Sequence, residues 1–166
     1  MKRLKEALKY LRDLFFAVAI AILIMPPICM LIAYILTHFY GITWPVPDEI
    51  DKLFMRLFAP AWYMILLKFI GVGCAEEGLF RQLLYNSFLT KTLRLPKILG
   101  LLISSIIFGA MHIWNPGGFP FTLPQAVGAA FAGVWFCYLY EKRGLTFAIL
   151  THGLYDFVVV MAAIYL

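Results

Sequence analysis

A small set of ionisable side chains lies inside apolar stretches of this chain. These side chains are Glu76, Glu77, Arg81, His112, His152 and Asp156. Ionisable groups within membrane-spanning segments are rare and usually functional. Buried carboxylates and imidazoles can activate water, relay protons or bind a metal ion. A single Glu–Arg pair can also serve only as structural glue between helices.

The spacing of these groups predicts that they lie at one depth. If the helices on either side of Leu93–Arg94 form a hairpin, Glu76 and His112 each lie about 25 Å along their helix from the turn, at 1.5 Å per residue. On the same scale, His152 and Asp156 lie about 12 and 18 Å after the turn before the last helix. We therefore expect side chains from three helices to meet in one layer.

Spacing within each helix predicts partners in that layer. Glu77 and Arg81 are four residues apart, so they share a helix face and can pair. Glu76 points about 100° away around the helix, which leaves it free to face a cavity. His152 and Asp156 have the same four-residue spacing and can present two polar groups to one point.

The elements that must position these groups are membrane-spanning helices. The chain is 63% hydrophobic and 14% charged, with a mean hydropathy of +0.88, whereas soluble domains average about 25% charged residues. Because one span needs about 20 apolar residues, we predict an all-α, polytopic bundle of about five spanning helices with the functional site inside it. The predicted spans are Leu14–Leu36, Ala59–Thr90, Lys97–His112, Pro124–Tyr140 and Leu145–Leu166.

The charge distribution predicts a single domain over residues 1–166 with a defined orientation. Basic residues concentrate before the first span and in the turns at 91–97 and 141–144, whereas the 37–52 loop is acidic and the 113–123 loop is uncharged. The positive-inside rule then places the N-terminus in the cytoplasm and the C-terminus outside. The net charge of +5 indicates contact with anionic lipid, and we expect no nucleic-acid partner.

Three motifs on the predicted spans resemble the CAAX protease and bacteriocin-processing family (CPBP or Abi), which are intramembrane glutamic proteases. The family pattern is EExxxR, then FxxxH, then HxxxN or HxxxD. The resemblance covers roughly residues 60–160 of this chain. Its motifs here are EEGLFR (Glu76, Glu77, Arg81), FGAMH (Phe108, His112) and HGLYD (His152, Asp156).

The resemblance implies an integral membrane endopeptidase, expected in a prokaryotic cytoplasmic membrane, that cleaves a membrane-associated peptide or protein. Glu76, with His112, would activate a water molecule for attack on the peptide bond. His152, with Asp156, would stabilise the oxyanion that forms. No metal or other cofactor is required by this scheme. The supporting positions would be Glu77, Arg81 and Phe108.

The resemblance leaves several alternatives. Asp156 stands where the family often has asparagine, and an ionised carboxylate cannot donate a hydrogen bond to an oxyanion. Asp156 would have to be protonated, or orient another group. A zinc-dependent membrane hydrolase is an alternative because histidine and carboxylate groups are ordinary zinc ligands. Two further alternatives are a catalytically silent binding or immunity scaffold and a small proton-coupled transporter.

Overall fold

The computed structural model describes residues 2–44 and 61–165, and every regular element in these ranges is helical. The all-α prediction is therefore confirmed. A π-helical segment, Gly78–Thr92, directly follows the second α-helix, and a 3-10 turn, His112–Trp114, follows the third. The α-helices are α1 (Lys2–Tyr40), α2 (Trp62–Glu77), α3 (Lys97–Met111), α4 (Leu123–Arg143) and α5 (Leu145–Tyr165).

Four helical stretches of the described chain are long and apolar enough to cross a membrane. They are α1, α3 together with its 3-10 turn, α4 and α5, and they correspond to the first, third, fourth and fifth predicted spans. Their length and apolar composition agree with the predicted bundle of membrane-spanning helices.

The second predicted span, Ala59–Thr90, differs from the prediction. Its first two residues lie outside the described residues, and the rest is divided between the 16-residue α2 and the 15-residue π-helical segment. The two parts follow each other without a break, so helical backbone continues from Trp62 to Thr92. The acidic residues of the predicted 37–52 loop also lie outside the described part of the chain.

The π-helical segment has a wider turn than an α-helix. The Leu93 amide donates to the Phe88 carbonyl at 2.9 Å, five residues earlier. The hydroxyl groups of Ser87 and Thr92 donate to the Gln82 and Ser87 carbonyls with the same five-residue spacing. π-Helical geometry is rare and is frequent at functional sites. Here it begins immediately after Glu77 and carries Arg81.

The predicted hairpin turn near Leu93–Arg94 is confirmed. The π-helical segment ends at Thr92 and α3 begins at Lys97, directly after Pro96. Arg94 adopts a positive φ of 54° in this turn. The turn returns the chain toward the bundle, with Glu76 in one half of the hairpin and His112 at the end of the other.

Polar contacts join the helix ends beside this turn. Lys97, at the start of α3, pairs with Glu141 of α4 at 2.5 Å. The Tyr85 hydroxyl donates to the same carboxylate at 3.1 Å. Arg143, at the end of α4, pairs with Asp13 of α1. The N-terminal part of α1 and the ends of the π-helical segment, α3 and α4 therefore meet at one end of the bundle.

Close helix packing supports the interior of the bundle. The main helix pairs are α3 with α4, α2 with α5, and α1 with both α4 and α5. A Cβ atom added to Gly109 of α3 would lie 2.5 Å from the Ala126 carbonyl oxygen of α4. One added to Gly73 of α2 would lie 2.9 Å from the Ile149 carbonyl oxygen of α5. Such contacts matter in lipid, where helix association depends on close approach of backbones.

We predict that Gly109→Ala lowers the free energy of unfolding by about 1–3 kcal/mol, the usual cost of overpacking. The added methyl group must displace the α4 backbone. Gly71→Ala is the matched control, because a Cβ atom there meets nothing within 4 Å. Unfolding in mixed micelles of sodium dodecyl sulfate and a mild detergent measures both variants. Equal stability of the two variants would contradict the close α3–α4 contact.

Candidate active site

A fully buried ion pair lies at the centre of the candidate site. Glu77 is the last residue of α2, and Arg81 lies four residues later in the π-helical segment. Both side chains are 0% exposed, and Arg81 Nε lies 2.9 Å from Glu77 Oε2. Arg81 Nη2 also donates to Glu77 Oε1 at 3.4 Å. The pair predicted from the spacing is therefore present.

Residues of α3 support this ion pair. The Arg81 guanidinium lies over the Phe108 ring, 4.8 Å from its centroid, in the geometry of a cation–π contact. Arg81 Nη1 donates to the Ser104 hydroxyl at 3.5 Å, and that hydroxyl donates to the Phe80 carbonyl at 2.8 Å. Phe108 itself is buried and packs edge-on against Phe80. These contacts fix the guanidinium relative to α3.

His152 joins α5 to the same cluster. Its Nδ1 lies 2.9 Å from Glu77 Oε1. Its Nε2 lies 3.3 Å from Asp156 Oδ2 and 3.6 Å from Glu76 Oε2. The ring stacks on Phe136 of α4, with 4.5 Å between the centroids. Both ring nitrogens thus face carboxylates, and a histidine donates from both nitrogens only when it is doubly protonated.

His112 is oriented by its own helix. Its Nδ1 lies 2.9 Å from the Phe108 carbonyl oxygen, which can only accept a hydrogen bond. Nδ1 therefore carries the hydrogen, and Nε2 of the neutral ring is an acceptor. His112 also begins the 3-10 turn that ends α3, so its position depends on how that helix terminates.

The four residues predicted to be catalytic line one cavity of about 530 Å³, a size typical of small-molecule and peptide pockets. They are Glu76, His112, His152 and Asp156. The side chains of Glu76 and Asp156 are 31% and 24% exposed, whereas Glu77 is 0% exposed. The two adjacent glutamates therefore have different environments: one faces the cavity and the other lies behind it.

Other cavity-lining residues were not expected from the sequence. The wall includes Pro26, Cys29 and Met30 of α1, and the amide side chains of Asn115 and Gln125. The α1 residues carry no polar signal that points to a site. Asn115 lies only three residues after His112, and this proximity to a motif is the one sequence signal that could have identified it.

Within residues 2–44 and 61–165, no three histidine, cysteine, aspartate or glutamate side chains are grouped so that they could hold a metal ion. The cluster instead places carboxylates against imidazole and guanidinium groups at hydrogen-bonding distance. The zinc-dependent alternative therefore calls for a direct chemical test.

Comparison with protein families matches residues 58–158 to the family described as Type II CAAX prenyl endopeptidase Rce1-like. The chain belongs to this family. Membership confirms the resemblance to CAAX proteases and places the chain among the CAAX-type intramembrane proteases. Comparison with curated proteins and comparison with solved structures gave no match. All three motifs and the whole Glu77–Arg81–His152 cluster lie within the matched region.

We predict that Arg81→Met lowers the free energy of unfolding by about 3–5 kcal/mol, because it leaves the Glu77 carboxylate buried without its cation. Adding Glu77→Gln should restore part of the loss, since the unpaired buried charge is then removed. Unfolding in mixed micelles measures both effects.

Arg12→Met is the matched control for this prediction. Arg12 pairs with Asp13 in a contact where the Arg12 side chain is 61% exposed, and exposed ion pairs contribute little. An Arg81→Met protein as stable as the Arg12→Met protein would show that the buried pair does not hold the bundle together.

Proposed function

We propose that the chain is a metal-independent glutamic endopeptidase that hydrolyses a peptide bond in a membrane-associated peptide or protein. The observation that carries this proposal is the shared cavity of Glu76, His112, His152 and Asp156, with the Glu77–Arg81 pair fixed behind it. Carboxylate and imidazole groups that converge on one cavity are the groups that general acid–base hydrolysis requires.

In the proposed mechanism, Glu76 is the general base. A water molecule binds between the Glu76 carboxylate and the His112 ring. The water donates one hydrogen bond to Nε2 of His112 and the other to Glu76. Glu76 takes a proton as the water oxygen attacks the scissile carbonyl carbon. When the tetrahedral intermediate collapses, the C–N bond breaks and the same proton passes from Glu76 to the leaving nitrogen. The immediate products are a carboxylic acid and an amine, and transfer of the acid proton to the amine gives a carboxylate and an ammonium group.

His152 provides the positive charge next to the developing oxyanion. The ring is held on one side by Glu77 and on the other by Asp156. In this scheme Asp156 orients His152 and does not itself donate to the substrate, which accounts for an aspartate at this position.

The proposed substrates are peptides held at the membrane, and prenylated CAAX peptides are the first to test because the matched family is described as CAAX prenyl endopeptidases. The cavity supports this choice. Apart from the catalytic cluster, its wall is mainly aliphatic and aromatic and is formed by α1, α2, α4 and α5. Such a wall can pack against an apolar side chain or a prenyl group of the substrate.

We predict that Glu76→Gln lowers cleavage by at least about 100-fold, the lower end of the contribution of a positioned base, while the protein stays folded. Gln keeps the size and polarity of the side chain and removes the base. Sequencing of new peptide termini in membranes containing wild-type or variant protein at matched levels measures the effect.

Glu6→Gln is the control for this measurement, because Glu6 is exposed near the start of α1 and does not line the cavity. Termini that depend on Glu76 but not on Glu6 support the proposal. The same termini with both variants, or none with the wild type, would instead favour a silent binding or scaffold role.

We further predict that cleavage persists after treatment with zinc chelators such as 1,10-phenanthroline. The proposed chemistry uses only carboxylate and imidazole groups of the chain. Rates are measured on purified protein in lipid nanodiscs, before and after the chelator, with a zinc-dependent peptidase treated in parallel. Loss of activity that added Zn²⁺ restores would replace the metal-independent mechanism with a zinc-dependent one.

A further inference from the structure

Two side-chain amides lie together in the wall of the cavity. Asn115 Nδ2 donates to Gln125 Oε1 at 3.1 Å. Both residues line the same cavity as Glu76 and His112. Gln125 is exposed and Asn115 is half-buried, so the pair lies at the exposed edge of the cavity. The proposed hydrolytic chemistry uses neither residue.

Backbone contacts fix these amides relative to His112. The Asn115 amide nitrogen donates to the His112 carbonyl at 3.2 Å. The buried Thr122 hydroxyl donates to the Ile113 carbonyl at 2.9 Å, and the Ala126 amide donates to the Thr122 carbonyl at 2.9 Å. The first turn of α4, which carries Gln125, is therefore tied to the 3-10 turn that carries His112.

Among the described residues, the side-chain amides of Asn115 and Gln125 hydrogen-bond only to each other. The hydrogen bond between them leaves Asn115 Oδ1 available as an acceptor and both Nε2 hydrogens of Gln125 available as donors to a ligand. A peptide main chain offers an N–H donor and a C=O acceptor at nearly every residue, and each is costly to bury without a partner. An uncharged amide pair matches both kinds of group.

We propose that Asn115 and Gln125 bind the main chain of the substrate peptide beside the scissile bond. This inference rests on the proposed function as a peptidase, and it assigns the amides to substrate binding and not to the chemical step. Three residues of 3-10 helix rise about 6 Å, and one extended residue spans about 3.3 Å. The contact therefore falls about two residues from the bond under attack near His112.

The test uses a farnesylated CAAX-box peptide, read out by mass spectrometry, in lipid nanodiscs. In a set of analogues, one amide at a time other than the scissile one is replaced by an ester. An ester has the shape of the amide but lacks its N–H donor and has a weaker carbonyl acceptor. The kcat/KM of each analogue is compared between the wild type and Asn115→Ala and Gln125→Ala.

Replacement of one particular amide, about two residues from the scissile bond, should lower kcat/KM of the wild type by about three- to tenfold, as expected for one neutral hydrogen bond. The same replacement should have less than about a twofold effect in Asn115→Ala or Gln125→Ala, because the partner is already absent. The loss in these two variants should appear mainly in KM.

Gln82→Ala is the matched control, because it also removes a side-chain amide. The Gln82 amide oxygen accepts a hydrogen bond from the Tyr140 hydroxyl, and Gln82 does not line the cavity. This variant should respond to every ester as the wild type does. If each ester lowers kcat/KM by the same factor in the wild type and in both cavity variants, the amides do not bind the main chain and the proposal is overturned.

A binding measurement separates this proposal from the proposed function. The same peptides, labelled with a fluorophore, are titrated into Glu76→Gln protein with and without Asn115→Ala, and fluorescence polarisation reports the Kd. An ester effect on Kd that vanishes in the Asn115→Ala background supports main-chain binding even if no cleavage occurs. A Kd unaffected by the ester and by Asn115→Ala overturns it even if Glu76-dependent cleavage is found.

Discussion

The buried Glu77–Arg81 ion pair is the interaction on which the arrangement of the site depends. Removing two charges from water costs several kcal/mol per ion, and their attraction repays this only with good geometry and further hydrogen bonds. Those additional contacts come from α3, through the Phe108 ring, and from α5, through His152. One pair therefore fixes the relative positions of the elements that carry all three motifs.

This constraint explains how two adjacent glutamates acquire different environments. Because Glu77 is held by both Arg81 and His152, the end of α2 cannot rotate without breaking a buried contact. Glu76, about 100° around the helix, is then directed into the cavity, where its Oε2 lies 3.6 Å from His152 Nε2. Its position therefore follows from the fixed position of its neighbour.

The sequence predicted the parts of the site that follow from helical periodicity. The four-residue spacing predicted the Glu77–Arg81 pair, and the distances from the hairpin turn predicted the layer that His152 joins. The contact between His152 and Glu77 was not predicted, because it depends on the rotation of α5 about its own axis. Nor was the π-helical segment that forms the second half of the second predicted span, since the side-chain types of Gly78–Thr92 do not distinguish α-helical from π-helical hydrogen bonding.

The part of the cavity wall formed by α1 lies outside the region of the chain that matches the family. Pro26, Cys29 and Met30 line the cavity but precede residues 58–158, the part that matches the family. The residues proposed to be catalytic lie wholly within the matched part. Substitutions in α1 can therefore change the shape of the wall, and with it the apolar segment that fits, without disturbing the buried ion pair. Under the proposed function, such a division would allow the same carboxylate and imidazole groups to act on different membrane peptides.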